Sequence, residues 1–164
     1  MWKRPSPSCG TSVLWMSDSI SFEEYLARCG SLTYSNVGTS MEPMLRQGRD
    51  LFTVTRKGPE RCRVGDVVLF RRGDKYILHR VVEVRENDYV CLGDNAVGKE
   101  YGVTDADILA VLTSFVRKGK EVRADDPRYR AYTALILRTN GARVRCRRAL
   151  GGLKAVLRSR TGPR

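Results

Sequence analysis

At 164 residues the chain is long enough for one domain with a sizeable core and an appendage. Apolar residues make up 41% and charged residues 29%, a soluble globular balance that excludes a disordered chain; the longest apolar runs, such as "ALIL" at 134 to 137, fall far short of the roughly 20 residues a membrane span needs. The net charge is +12, and nine Lys and Arg with no Asp or Glu follow residue 137, so most of the surplus sits at one end.

Residues 1 to 18 read as a loose leader rich in Ser and Pro. Lys3 and Arg4 are followed by Pro, Ser, Cys and Gly where a signal peptide needs an apolar run, so no export signal is expected. "SFEE" at 21 to 24 has the S-x-x-E capping pattern, and Phe22, Tyr25, Leu26 and Cys29 follow helical spacing up to Gly30. From 31 to about 120 the pattern is strand-like: "SLTYSNV", "DLFTVT", "DVVLFR", "KYILHRVVEV", "DYVCLG" and "DILAVLTSFV", parted by Gly- and Asp-containing turns. Few helical stretches interrupt them, so the fold class is mainly β, with an antiparallel core over 19–122. Beyond "DDP" at 125 to 127 the pattern turns helical, as "RYRAYTALILR" and a second segment after Gly141, giving a basic helical tail over 123–164.

Five cysteines stand at 9, 29, 62, 91 and 146. Their odd count and wide spacing argue for reduced thiols in the cytoplasm rather than a disulfide framework. No cysteine pair has zinc-ligand spacing and there is one histidine, so neither a metal nor any other cofactor is expected.

That histidine, His79, lies in the longest strand signal. Alternation puts Tyr76, Leu78, Arg80, Val82 and Val84 on one face, and Ile77, His79 and Val81 on the other. A lone strand histidine is ordinarily structural, and it gains interest only beside Ser40. The stretch "NVGTSMEPMLRQGRD" at 36 to 50 holds Ser40 between Gly38, which tolerates unusual dihedrals, and Pro43, which fixes its own φ. A serine hydroxyl needs a neighbouring base to become a nucleophile, and the imidazole pKa near 6.5 suits that work. A carboxylate on the second ring nitrogen would fix the tautomer. Asp94, in "LGDNA" at 92 to 96, is placed to supply one, although a turn aspartate bonding its own backbone is the plainer alternative. Backbone N–H groups of the serine loop, that of Ser40 included, are candidates for holding an oxyanion.

Four blocks in order, "GTSMEPML", "RVGDVVLF", "YILHRVVEV" and "CLGDNA", resemble the signal peptidase I superfamily of serine peptidases, which includes the self-cleaving SOS repressors. The resemblance covers about residues 36 to 118. It implies a β-rich peptidase fold with Ser40 as nucleophile, and a structural role for the turn at Gly65 and Asp66. Bacterial members carry Lys as the general base. This chain has His79 followed by Arg80, which is similar to the archaeal and endoplasmic-reticulum branch that uses Ser and His with help from aspartate. Asp94 matches that branch's Gly-Asp-Asn block, while a second aspartate expected six residues later is Glu100 here.

The reading that follows is a cytoplasmic serine endopeptidase acting on a peptide or protein precursor. Two alternatives stay open: a peptide-binding module on the same fold that does not cleave, and a preprotein peptidase working at the membrane surface. The β-core carries no RNA-binding signature and its aromatics are not grouped with basic residues, which argues against nucleic acid. With about 35 residues before the core, the helix-turn-helix domain of a self-cleaving regulator is not expected. Residues 142–160 are the candidate for peripheral contact with an anionic membrane. There Cys146, Ala149, Leu150, Leu153 and Leu157 form a helical stripe among Arg145, Arg147, Arg148, Lys154, Arg158 and Arg160. A solvated tail is the other reading of that segment.

Overall fold

Ser21 caps the first helix, α1 (Phe22–Cys29), by accepting a hydrogen bond from Glu24 N at 3.1 Å. Gly30 ends it in the left-handed region, at φ 72°, where glycine has no Cβ to clash. The four-residue spacing of Phe22 and Leu26 buries both on one side. The computed structural model describes residues 20–160, and within the last helix the side chains as far as Cys146 together with that of Ala149. The expected leader over 1–18 lies outside the described residues.

Eight strands follow: β1 (Ser31–Ser35), β2 (Leu51–Arg56), β3 (Val67–Arg72), β4 (Lys75–Val84), β5 (Tyr89–Leu92), β6 (Glu100–Val103), β7 (Ile108–Arg117) and β8 (Lys120–Arg123). All pair antiparallel, in the order β1-β2-β7-β3-β4-β5-β6, with β8 also on β7. The mainly β expectation therefore holds. β7 organises the sheet: β2 pairs along it from Ala110 to Val116, β3 takes Ile108 to Val111, and β8 takes Ser114 to Arg117. β6 and β8 were absent from the sequence reading. β6 is four residues long with Gly102 at φ 67° inside it, and β8 reads "KEVR" with a single apolar residue, so neither carries enough pattern to read as a strand.

Apolar side chains cover both sheet faces. Phe22, Leu26, Leu32, Tyr34, Phe52, Leu112 and Phe115 pack on one, and Val68, Phe70, Val81, Tyr89, Cys91 and Ile108 on the other. This explains why four consecutive residues of β3, Val67 to Phe70, are all buried rather than alternating. On β4 the alternation holds: Leu78 joins the first cluster, Val81 the second, and His79 lies edge-on to Phe70 with ring centroids 6.3 Å apart.

The last helix, α2 (Pro127–Arg160), starts behind Asp126, whose carboxylate accepts from Arg128 N at 2.7 Å; proline occupies the first helical position, where its missing N–H costs nothing. It runs unbroken through Gly141, where two segments were expected. Its first turns are part of the domain: Tyr129 and Ile136 are buried, and the Tyr129 ring packs against Phe115 at 5.4 Å. Arg123, read as the start of the tail, still pairs with Ser114 in β8.

Candidate active site

The loop between β1 and β2 is tied down residue by residue. Asn36 is buried and donates through Nδ2 to Gly38 O at 3.1 Å. Gly38, at φ 84°, adopts a conformation open to glycine and donates its N–H to Gln47 Oε1 at 2.8 Å. Met41, Met44 and Leu45 are fully buried, which roots the loop in the core just after the serine. Asp50 closes it, accepting from Arg46 N at 2.9 Å and Lys118 N at 3.3 Å and pairing with Arg49 at 2.6 Å. The Arg49 hydrogen bond holds the Asp50 carboxyl down at about 2 despite burial. Ser40 is left half-buried above this base. The Glu42–Pro43 peptide bond is cis.

His79 meets this loop across Gly93. A Cβ on Gly93 would stand 2.6 Å from the Ser40 carbonyl oxygen and 3.0 Å from His79 Nε2, so no side chain fits there. The next residues complete the junction: Asn95 N donates to Ser40 O at 2.7 Å. The Gly-Asp-Asn turn therefore does three separate jobs, giving space, a carboxylate and a backbone tether. Among the described residues Ser40 Oγ makes no hydrogen bond to His79. Hydrogen bonds of this kind commonly tighten only with substrate present.

The expectation that Asp94 lies on the second imidazole nitrogen is not met. His79 Nδ1 is buried and has no hydrogen-bond partner among the described residues. Asp94 instead receives Arg80 Nε and Nη2, each at 2.8 Å, and Tyr132 OH at 2.9 Å. Strand alternation is the reason: His79 and Arg80 leave β4 on opposite faces, and the planar guanidinium fork matches a carboxylate two bonds at a time. Arg80 and Asp94 are both fully buried. The remaining guanidinium nitrogen, Nη1, donates to Gly65 O at 2.8 Å, Thr133 Oγ1 at 3.1 Å and Tyr129 OH at 3.2 Å. Burial works against the Arg80 charge, but Asp94 outweighs it and keeps the guanidinium protonated. Burial, and then Asp94, push the Tyr132 phenol up, so it stays a donor.

Burial holds the His79 pKa below the ordinary imidazole value, and Glu100 and then Asp94 pull it partly back. Glu100, on β6 opposite Cys91 and held by Arg72 at 3.2 Å, thus acts on His79 more strongly than Asp94 does. The turn at Gly65 and Asp66 is structural, as expected. Gly65 N donates to Val81 O at 2.9 Å, and a Cβ there would stand 3.0 Å from Thr133 Cγ2.

Sequence reasoning missed Arg80 as the hub and Tyr129, Tyr132 and Thr133 as its partners. One signal for Arg80 was present, a cation at an apolar position of an alternating strand. Nothing marked Tyr132, which reads as one more residue of an amphipathic helix. Two open surface depressions, of about 650 and 520 Å³, lie beside Gly65 and α2 and beside Gly58 to Arg63; neither is lined by Ser40 or His79. Comparison with protein-family models, curated proteins and solved structures returns no match.

Proposed function

We propose that this chain is a serine endopeptidase that cleaves a precursor or leader peptide, with Ser40 as nucleophile and His79 as general base. The observation that carries the reading is the shared space at Gly93, which brings His79 Nε2 and the Ser40 main chain to one point. In this scheme neutral His79 takes the Ser40 proton as Oγ bonds to the scissile carbonyl carbon. The Ser40 N–H, which no described residue engages, is the candidate donor to the oxyanion. The imidazolium returns the proton to the leaving amine as the C–N bond breaks, and water then releases the acyl group by the same route. Asp94 serves as a positioning residue through Arg80 and the Gly93–Asn95 turn, and Glu100 supplies charge toward His79.

The unpartnered Nδ1 favours a second reading, a peptide-binding module on the same fold. Turnover separates the two. Purified protein is incubated with a diverse peptide mixture and new termini are read by mass spectrometry. The peptidase reading expects cleavage that Ser40→Ala abolishes with little change in melting temperature, since a half-exposed hydroxyl contributes little to folding. Peptides retained intact by both proteins would establish the binding module instead.

A further inference from the structure

Helix α2 changes character half-way along. Tyr129 and Ile136 carry its first turns onto the sheet. At 3.6 residues per turn, the next positions on that face are Asn140, Arg143 and Arg147, so the side toward the domain turns polar and then cationic. Asn140, Arg143 and Val144 are still half-buried, which places them at the domain's margin. At 100° per residue, the apolar positions Ala142, Cys146, Ala149, Leu150, Leu153 and Leu157 are centred about 90° round the helix from Ile136. Ala142, Cys146 and Ala149 are exposed there, and the sequence continues their spacing with Leu150, Leu153 and Leu157. Gly151 and Gly152 fall outside that stripe. Arg143, Arg145, Arg147, Arg148, Lys154 and Arg158 border or oppose it, and no Asp or Glu follows Asp126.

We propose that this half of α2 lies in the plane of an anionic membrane surface, its stripe sunk at the acyl boundary and its Arg and Lys on lipid phosphates. An anionic bilayer meets both halves of the pattern at once. A second copy of the chain would bring two uncompensated cationic segments together. Nucleic acid would satisfy the charges and leave the stripe in water. Among the described residues no helix is long and apolar enough to cross a bilayer, which fits a helix lying on the surface. The described part of the stripe, Ala142, Cys146 and Ala149, is exposed, so docking there leaves the Arg80 cluster undisturbed. This surface is independent of the peptidase reading, and a chain inactive at Ser40 binds equally well.

The test is co-sedimentation of the full-length protein with phosphatidylcholine vesicles, with and without phosphatidylserine. The protein sediments with the anionic vesicles alone, and added salt releases it. The double change Arg145→Gln with Lys154→Gln, the basic residues that flank the stripe on its two sides, lowers the partition coefficient about 30-fold, roughly fivefold for each lost charge. Leu153→Asp abolishes sedimentation and leaves the melting temperature unchanged, which separates lost docking from lost folding. Equal sedimentation with both vesicle types, or with neither, overturns the proposal. So does a solution dimer that Leu153→Asp dissociates, or retention on nucleic acid that Leu153→Asp leaves intact.

Discussion

His79 can accept a proton only while neutral, and burial favours that form. With its pKa held below the ordinary value of about 6.5, activity should be full at neutral pH and fall only on the acid side of that value. Glu100 raises the His79 pKa, so Glu100→Gln should move the acid limb of kcat/KM to lower pH. A limb unmoved by Glu100→Gln would show that the carboxylate does not act on His79. Stability follows the same sign at this residue. The unfolded chain binds a proton near pH 6.5 and the folded chain does so lower, so the His79 contribution is full above about 6.5 and is lost as pH falls through the folded value. At Asp50 the window lies lower: its depressed pKa, about 2, contributes stability that disappears as pH falls through that value. Asp50→Asn should flatten that part of a melting-temperature profile. The candidate pairing of Ser40 with His79 was legible from residue type and block order. That of Asp94 was not, because a sequence does not say which of two adjacent strand residues a distant carboxylate will meet.

At the scale of elements, the site is a junction of four pieces: the serine loop, β4, the Gly-Asp-Asn turn and α2. Gly93→Ala forces a methyl group to within 2.6 Å of the Ser40 carbonyl, so the turn and the serine loop must separate. Activity should fall at least 100-fold, since small displacements of reacting groups carry penalties of that order. Circular dichroism should still show a folded β protein. Removing the Tyr132 hydroxyl takes one donor from a buried carboxylate, so Tyr132→Phe should destabilise by about 1.5–3 kcal/mol in urea unfolding. Arg80→Met leaves Asp94 buried without its cation and should cost about 3–5 kcal/mol. Six strands and α1 were legible because alternation and capping are local signals. β6 and β8 were not, since strands of four residues are held by their neighbours rather than by their own pattern. The docking of α2 was hidden for a related reason: its anchors to the site are two tyrosine hydroxyls and a threonine, groups that carry no periodic signature.

Across the whole molecule, the sheet brings distant stretches to one place. β4 carries His79 toward one apolar cluster and Arg80 toward the other, so the candidate base and the structural hub occupy opposite sides of a single strand. The serine loop reaches Arg80 through Met44, at 3.4 Å from Nη2, and reaches His79 through Gly93. The central claim is that Ser40 and His79 act as one chemical unit, and a serine-reactive fluorophosphonate tests it without knowledge of the substrate. The modified residue is mapped by mass spectrometry, and the labelling rate is followed between about pH 5 and 8 in the native chain and in His79→Ala. The dyad predicts labelling at Ser40, with a rate that falls on the acid side of the imidazole pKa and is lost in His79→Ala. Labelling at another serine, or a Ser40 rate that is flat with pH and indifferent to His79→Ala, would contradict it.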